Sequence, residues 1–455
     1  MRRLATLVAA FTLAFAGVGL APAVARGATA TTFGVPKATA SFEVSIVLTE
    51  PVTLPPGVSR LEALVRTGSS DTSSVVEILP TPGPGSTTLR YELKLKPGAL
   101  VPNTLVRLWF RVTLADGTIE DGPVAHVSYE DTRFDWHVLT GSIVRVHWID
   151  GGDAFGRRAL AIGEQAVADA GKLLGVTETQ PIDFFIYSDT AAFRDVLGPD
   201  TRENVGGIAY TDIRTLLANI APSAVNDPWV AIVIPHELTH LVFATAVGNP
   251  FHGPAHWLNE GLAVYLSKGY TSEDRGEVGD AVRAGSLMPI TALAGQFPAS
   301  GDRFSLAYAE SVSAVAFLVR TYGKPALVKL IRSYHAGLLD DEAFQAALGV
   351  DVAGFESAWV ADLGTTEPKA FGPQPAPAGP VPPGWEGGGV TPGTIATPSP
   401  GPTSAPTSTP APPAATDTSS NLVGVGVATA LVVFLAIGLL AVAMRRRRQP
   451  PGPIE

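Results

Sequence analysis

The residues from Val233 to Phe243, VIPHELTHLVF, set two histidines and a glutamate in the pattern H-E-x-x-H inside an otherwise apolar run. A fold that buries such a run must also find partners for its ionisable side chains. On a helix, positions i and i+4 lie one above the other, so His236 and His240 can aim two imidazoles at one metal ion. Glu237 projects near the same point and can take a proton from water held there. Catalytic zinc needs three protein ligands and a fourth position for water. The 455 residues contain no cysteine, which excludes thiolate ligation, cysteine nucleophiles and disulfide frameworks. Any metal must be held by His, Asp and Glu.

Glu260, in HWLNEGLAVYLS, follows His240 after nineteen intervening residues. Gly248 suits a left-handed helix cap and Pro250 blocks continuation, so the first helix ends there. A second helix, from about Ala255 through Lys268, then brings Glu260 back towards the histidines. His252 and His256 compete as ligands by residue type, but a loop position makes them substrate-side or merely exposed. A metzincin arrangement needs a glycine at position 243 and a histidine at 246, where this chain has Phe243 and Ala246. Pro235 adds a constraint: either the helix begins near it or it bends there.

Both chain ends read as export and anchoring signals. Arg2 and Arg3, an apolar stretch from Leu4 to Leu20 and the small residues Ala23-Val24-Ala25 describe a secretory signal over residues 1–25. The charge-free run 422–444, Leu422 to Met444, is long enough for a transmembrane helix. Arg445 to Arg448 follow it, so residues 445–455 are expected to be a cytoplasmic basic tail and the head extracellular. Between about 366 and 421 the chain is mostly Pro, Thr, Ser, Ala and Gly, a disordered stalk with too little apolar area to fold. The expected protein is single-pass in the cell membrane. A net charge of −10 argues against nucleic acid as a partner.

Residues 33–132 alternate apolar and polar side chains in short runs. Phe42, Val44, Ile46 and Leu48 share one face, as do Leu89, Tyr91, Leu93 and Leu95, and Val106, Leu108, Phe110, Val112 and Leu114. Broken by LPPG, TPGPGS and ADGT, these runs predict an Ig-like all-β sandwich without a catalytic cluster. In residues 135–365, GSIVRVHWI and IDFFIY read as strands and Phe155 to Leu174 as a helix. Further helices are expected at Trp229–Val247, Leu306–Tyr322, Pro325–His335 and DEAFQAAL. A small sheet followed by a helical lobe is an α+β arrangement.

Over roughly Trp136 to Leu363 the chain resembles the gluzincin metallopeptidases, most closely the peptidase MA-like group with the catalytic lobe of thermolysin and the zinc aminopeptidases. HELTHLVF, GNPFHGPAHWLNEGLAVYLS and YAESVSAVAFLVRTYG carry the likeness. The resemblance implies one zinc ion held by His236, His240 and Glu260, with Glu237 as general base and then proton donor to the leaving amine. It also implies that Tyr308 hydrogen-bonds the oxyanion of the tetrahedral intermediate. An edge strand just before the H-E-x-x-H helix is implied to pair with substrate; TLLANI fits by position, with Leu217, Ala218 and Asn219 as candidate substrate-binding residues. Where thermolysin has an aspartate orienting a zinc histidine, this chain has Val264, so that support must come from elsewhere. No motif that grips a free N-terminus is present, which favours an endopeptidase acting on extracellular peptide or protein. The competing expectation is a catalytically silent surface adhesion or sensor protein that uses the lobe as a binding scaffold.

Overall fold

The protein is described from a computed structural model covering residues 30–199, 205–249, 252–298, 301–366, 368 and the short strand 431–434. The expected signal, stalk, membrane helix and basic tail otherwise lie outside the described residues.

Nine strands form two facing sheets: β1 (Thr32–Phe33), β2 (Lys37–Ser41), β3 (Ser45–Leu54), β4 (Val58–Thr67), β5 (Ser74–Glu77), β6 (Gly85–Lys94), β7 (Thr104–Leu114), β8 (Ile119–Asp121) and β9 (Ala125–Tyr129). In one sheet β3 pairs with β6 along its whole length and with β1 and β2; in the other β7 pairs with β4, β8 and β9, and β5 extends β4. Strand alternation sends every second side chain inward. Val106, Leu108, Phe110 and Val112 are accordingly all 0% exposed, opposite Ile46 and Leu48. Val44 departs from the expected face and is exposed. The chain turns at Glu43, which has φ 55, and the strand starts only at Ser45.

The next sheet contains β10 (His137–Thr140), β11 (Val144–Trp148), β12 (Ile182–Tyr187), β13 (Val205–Tyr210) and β14 (Thr215–Asn219), in the order β10-β11-β12-β14-β13. The three central strands run parallel and the flanking two antiparallel. Helix α1 (Asp153–Leu174) makes the crossover between β11 and β12 that a parallel pair requires. It lies close to the sheet, because a Cβ on Gly156 would fall 2.5 Å from the Trp148 ring. After the short α2 (Thr190–Leu197) comes a helical lobe: α3 (Val230–Val247), α4 (His256–Ser267), α5 (Ser272–Ala284), α6 (Gly301–Thr321), α7 (Gly323–His335), α8 (Asp340–Leu348) and α9 (Val352–Asp362). Leu431–Phe434, within the run read as a membrane helix, form β15 on the outer edge of β13.

Sandwich and lobe meet along a tight seam. Gly98 and Gly198, both at positive φ, approach so closely that a Cβ on Gly98 would lie 2.5 Å from Gly198 Cα. Beside them, Asn103 Nδ2 donates to Asp183 Oδ2 at 3.0 Å and Thr215 Oγ1 at 2.9 Å. Tyr187 donates to Asp131 Oδ2 at 3.1 Å, and Phe42, Phe134 and Trp136 pack with Tyr187, Phe193 and Leu217.

Candidate metal centre

Helix α3 is apolar on nearly every side, the pattern of a helix enclosed by its own fold. By length and hydropathy it could cross a membrane, yet 67% of it is buried within the protein. It starts at Val230, so Pro235 lies inside it and not at its first turn. Gly248 closes it in the left-handed conformation, φ 55, with its amide bonded to Ala244 O. The chain returns and α4 runs alongside, carrying Glu260, which is 0% exposed. Gly261 permits this approach: a Cβ there would sit 2.5 Å from the Ser311 carbonyl oxygen on α6.

The structure brings His236, His240 and Glu260 together, each offering an atom within 4.8 Å of the others. Glu260 Oε2 stands 3.3 Å from His236 Nε2 and 3.8 Å from His240 Nε2. These nitrogens and both Glu260 oxygens are buried without a hydrogen-bond partner. Burial alone raises the Glu260 carboxyl, but His240, His236 and His256 together outweigh it and hold the pKa at about 2. Burial pushes the His240 imidazole down to about 4 against the pull of Glu260. At neutral pH His240 is therefore a neutral imidazole and Glu260 a carboxylate, and with His236 they leave buried donor atoms uncommitted. That donor set fits zinc with one position left open.

Glu237 is also 0% exposed, and neither of its oxygens makes a hydrogen bond of ordinary geometry. Burial drives its carboxyl well above the usual range and the Glu260 charge adds to the rise, with the nearby Ala209 amide opposing. It packs against β13 at Gly207, where a Cβ would meet Glu237 Cγ at 3.0 Å. Tyr308, on α6, brings its ring centroid to 6.4 Å from that of His236, and its ring also packs edge-on against Phe297 and Phe304.

Asn259 is the residue that sequence reasoning missed. Its Oδ1 lies 2.9 Å from His240 Nδ1, which fixes the ring's orientation and leaves Nε2 for the metal. Its place beside Glu260 in NEG was the available signal. It supplies support of the kind that the Val264 position does not.

Two expectations change. His256 is the first residue of α4, not a loop residue, and its Nε2 lies 3.7 Å from Glu260 Oε1. His252, on the return, has Nε2 3.9 Å from Asp340 Oδ1. The second change concerns the edge strand. Leu217, Ala218 and Asn219 lie on β14, which pairs with β12 on one side and β13 on the other, so its backbone is already engaged. Leu217 and Ala218 are buried, and Asn219 Nδ2 donates to Thr190 Oγ1 at 2.8 Å. These three residues cannot accept a substrate strand; β13, against Glu237, is the strand beside the site.

Residues 162–365 match the family model described as Peptidase MA superfamily. Among curated proteins, aminopeptidase M1-B of Oryza sativa subsp. japonica is 26% identical over 188 residues, covering 39% of this chain and 21% of that protein. The chain thus spans about a fifth of that relative's length. Among solved structures, an aminopeptidase N family protein from Idiomarina loihiensis is 9% identical with a TM-score of 0.40, over 75% of this chain and 77% of that one. An M1 zinc metallopeptidase from Deinococcus radiodurans is 14% identical with a TM-score of 0.33, over 73% and 92%.

Proposed function

We propose, from the match of residues 162–365 to the Peptidase MA superfamily model, that they form a gluzincin-type lobe and that the protein is a zinc-dependent peptidase. The observation that carries this reading is the convergence of His236, His240 and Glu260 on one point, their buried donor atoms unpaired, with Glu237 unpaired beside them. In it His236, His240 and Glu260 hold one zinc ion, which supplies Lewis acidity, polarising a peptide carbonyl and acidifying water.

The chain's own groups do the rest. Glu237 takes the proton from the attacking water and hands it to the nitrogen of the leaving amine. Tyr308 donates a hydrogen bond to the developing oxyanion. Asn259 keeps His240 in the rotation that ligation needs. A site needed only for structure would not require a buried, unpaired carboxylate next to its ligands, which sets this reading above the scaffold alternative.

The finer reading is an endopeptidase that works outside the cell, tethered by a helix at residues 422–444. Its support is the charge-free run followed by Arg445 to Arg448, the signal-like residues 1–25 and the lack of an amine-gripping motif.

The test uses the soluble head with fluorogenic peptides, with and without a chelator, and a Glu237→Gln variant whose zinc content is measured. The variant is expected to keep its zinc and lose about 10²- to 10⁴-fold in turnover. Equal turnover by the two proteins, or wild-type turnover that survives full chelation, overturns the assignment.

A further inference from the structure

The sandwich buries a carboxyl that the metal centre does not use. On β3 the side chains of Ile46, Leu48, Glu50, Val52 and Leu54 share the inward face, and all are buried. Four are aliphatic. The fifth, Glu50, is 0% exposed, and neither of its oxygens has a hydrogen-bond partner.

Its immediate neighbours are apolar. β6 sets Leu89 opposite it, and Gly122, just after β8, touches both Glu50 and Phe33 of β1. A Cβ on Gly122 would lie 2.8 Å from Phe33 Cδ1 and 3.2 Å from Glu50 Oε2, so ring and carboxyl press on the same spot. The ions carried by these elements have partners elsewhere: Glu120 Oε2 accepts the Thr31 amide at 2.9 Å, Asp121 holds Arg111, and Arg90 holds Glu92. No titratable or charged group among the described residues faces Glu50, and burial by itself raises its pKa to about 7.

The cover over this carboxyl is slight. β1 is only Thr32 and Phe33, paired with Thr53 and Val52, and the Gly34 amide adds one bond to Pro51 O at 2.7 Å. An ionised carboxylate kept dry and unpaired is costly, whereas lifting so short a strand breaks few hydrogen bonds and admits water.

We propose that β1 is a proton-gated strap, closed over Glu50 while that side chain is neutral and released when it ionises. Release uncovers the edge of β3 at Val52 and Thr53, whose backbone groups are then open to another strand. The device is independent of the peptidase reading and stands or falls without it. Under the strap Glu50 keeps its proton up to about pH 7, and in water it returns towards its ordinary 4.5. Opening therefore grows by up to about tenfold per pH unit between about pH 4.5 and 7 and levels off above.

Hydrogen exchange of the full-length chain, followed by mass spectrometry from about pH 4 to 8, tests this once each rate is corrected for hydroxide catalysis. Protection of Phe33 and Gly34 is expected to fall by up to about 300-fold across the window and then stay level, while β7 keeps its protection. Glu50→Gln cannot ionise and should hold one level of protection throughout. Phe33→Ala lets water reach the carboxyl at every pH, so its β1 should be poorly protected with no dependence on pH; it decides the matter if Glu50→Gln does not fold. Identical profiles for the wild type and Glu50→Gln overturn the proposal. So does a loss shared equally by β7, which would mean that the whole sandwich opens, or a Phe33→Ala profile that still follows pH between about 4.5 and 7.

Discussion

Replacing Gly261 with alanine tests whether the α4–α6 contact holds Glu260 in place. The added Cβ would stand 2.5 Å from Ser311 O and 2.8 Å from Val315 Cγ2. To regain the 3.4 Å at which ordinary contact begins, the helices must part by roughly 0.9 Å. A backbone carbonyl inside a helix cannot swing aside, so overpacking of about 1–3 kcal/mol applies. Helix propensity opposes it, since Ala is better than Gly by about 1 kcal/mol. The net is a loss of up to about 2 kcal/mol, a fall in Tm of up to about 8 °C for a unit of this size. Gly276→Ala on α5 is the control, because its Cβ would meet nothing within 4 Å. There propensity acts alone and Tm should rise by about 2–4 °C. Glu260 precedes Gly261 directly, and metal ligands tolerate only about 0.2 Å of displacement, so zinc affinity should fall at least tenfold. Thermal denaturation followed by circular dichroism and zinc competition with a chromophoric chelator read the two effects. Matching Tm shifts in the two variants, or unchanged zinc affinity in Gly261→Ala, would refute the reasoning.

Asn259→Ala leaves His240 without its Nδ1 partner, and zinc affinity should drop about 10- to 100-fold, read by the same competition assay. Glu310 is 0% exposed on α6, accepts the Met288 amide at 3.1 Å, and is pushed by burial to a pKa of about 8. Since that value is raised above the unfolded one, the stability it confers is complete below about pH 4.5 and is lost as pH climbs through about 8. Denaturant titrations should therefore show Glu310→Gln gaining on the wild type between pH 5 and 8, by at most about 1.4 kcal/mol per pH unit. Parallel stability curves over that range would count against it.

The helices of the site were legible because side-chain period and caps are local: α3 ends at Gly248 as its left-handed cap requires, and α4 starts within one residue of expectation. Helix α6 begins at Gly301, five residues before Leu306, since its first turn, GDRFS, is too polar to show a buried stripe. Strand order was not legible. TLLAN has the stronger strand composition, yet its backbone is enclosed by neighbours on both sides, while the glycine-bearing VGGIAY lies against Glu237. Side-chain pattern reports burial; which strand comes to lie beside the site depends on pairings that are distant in sequence. His236, Glu237, His240 and Glu260 were found from spacing, whereas Asn259 emerged only once the two helices were seen side by side.

The glycine-on-glycine seam at Gly98 and Gly198 bears on how such a chain can evolve. Backbone touching backbone leaves no side chain to trim when either partner is exchanged, and Asn103 reaches across to Asp183 and Thr215 with both of its hydrogen bonds. Recombination that grafts a different amino-terminal module onto the half that carries the helical lobe would have to carry both rims of the joint. The two halves are therefore expected to be inherited as a pair, shuffled together or not at all.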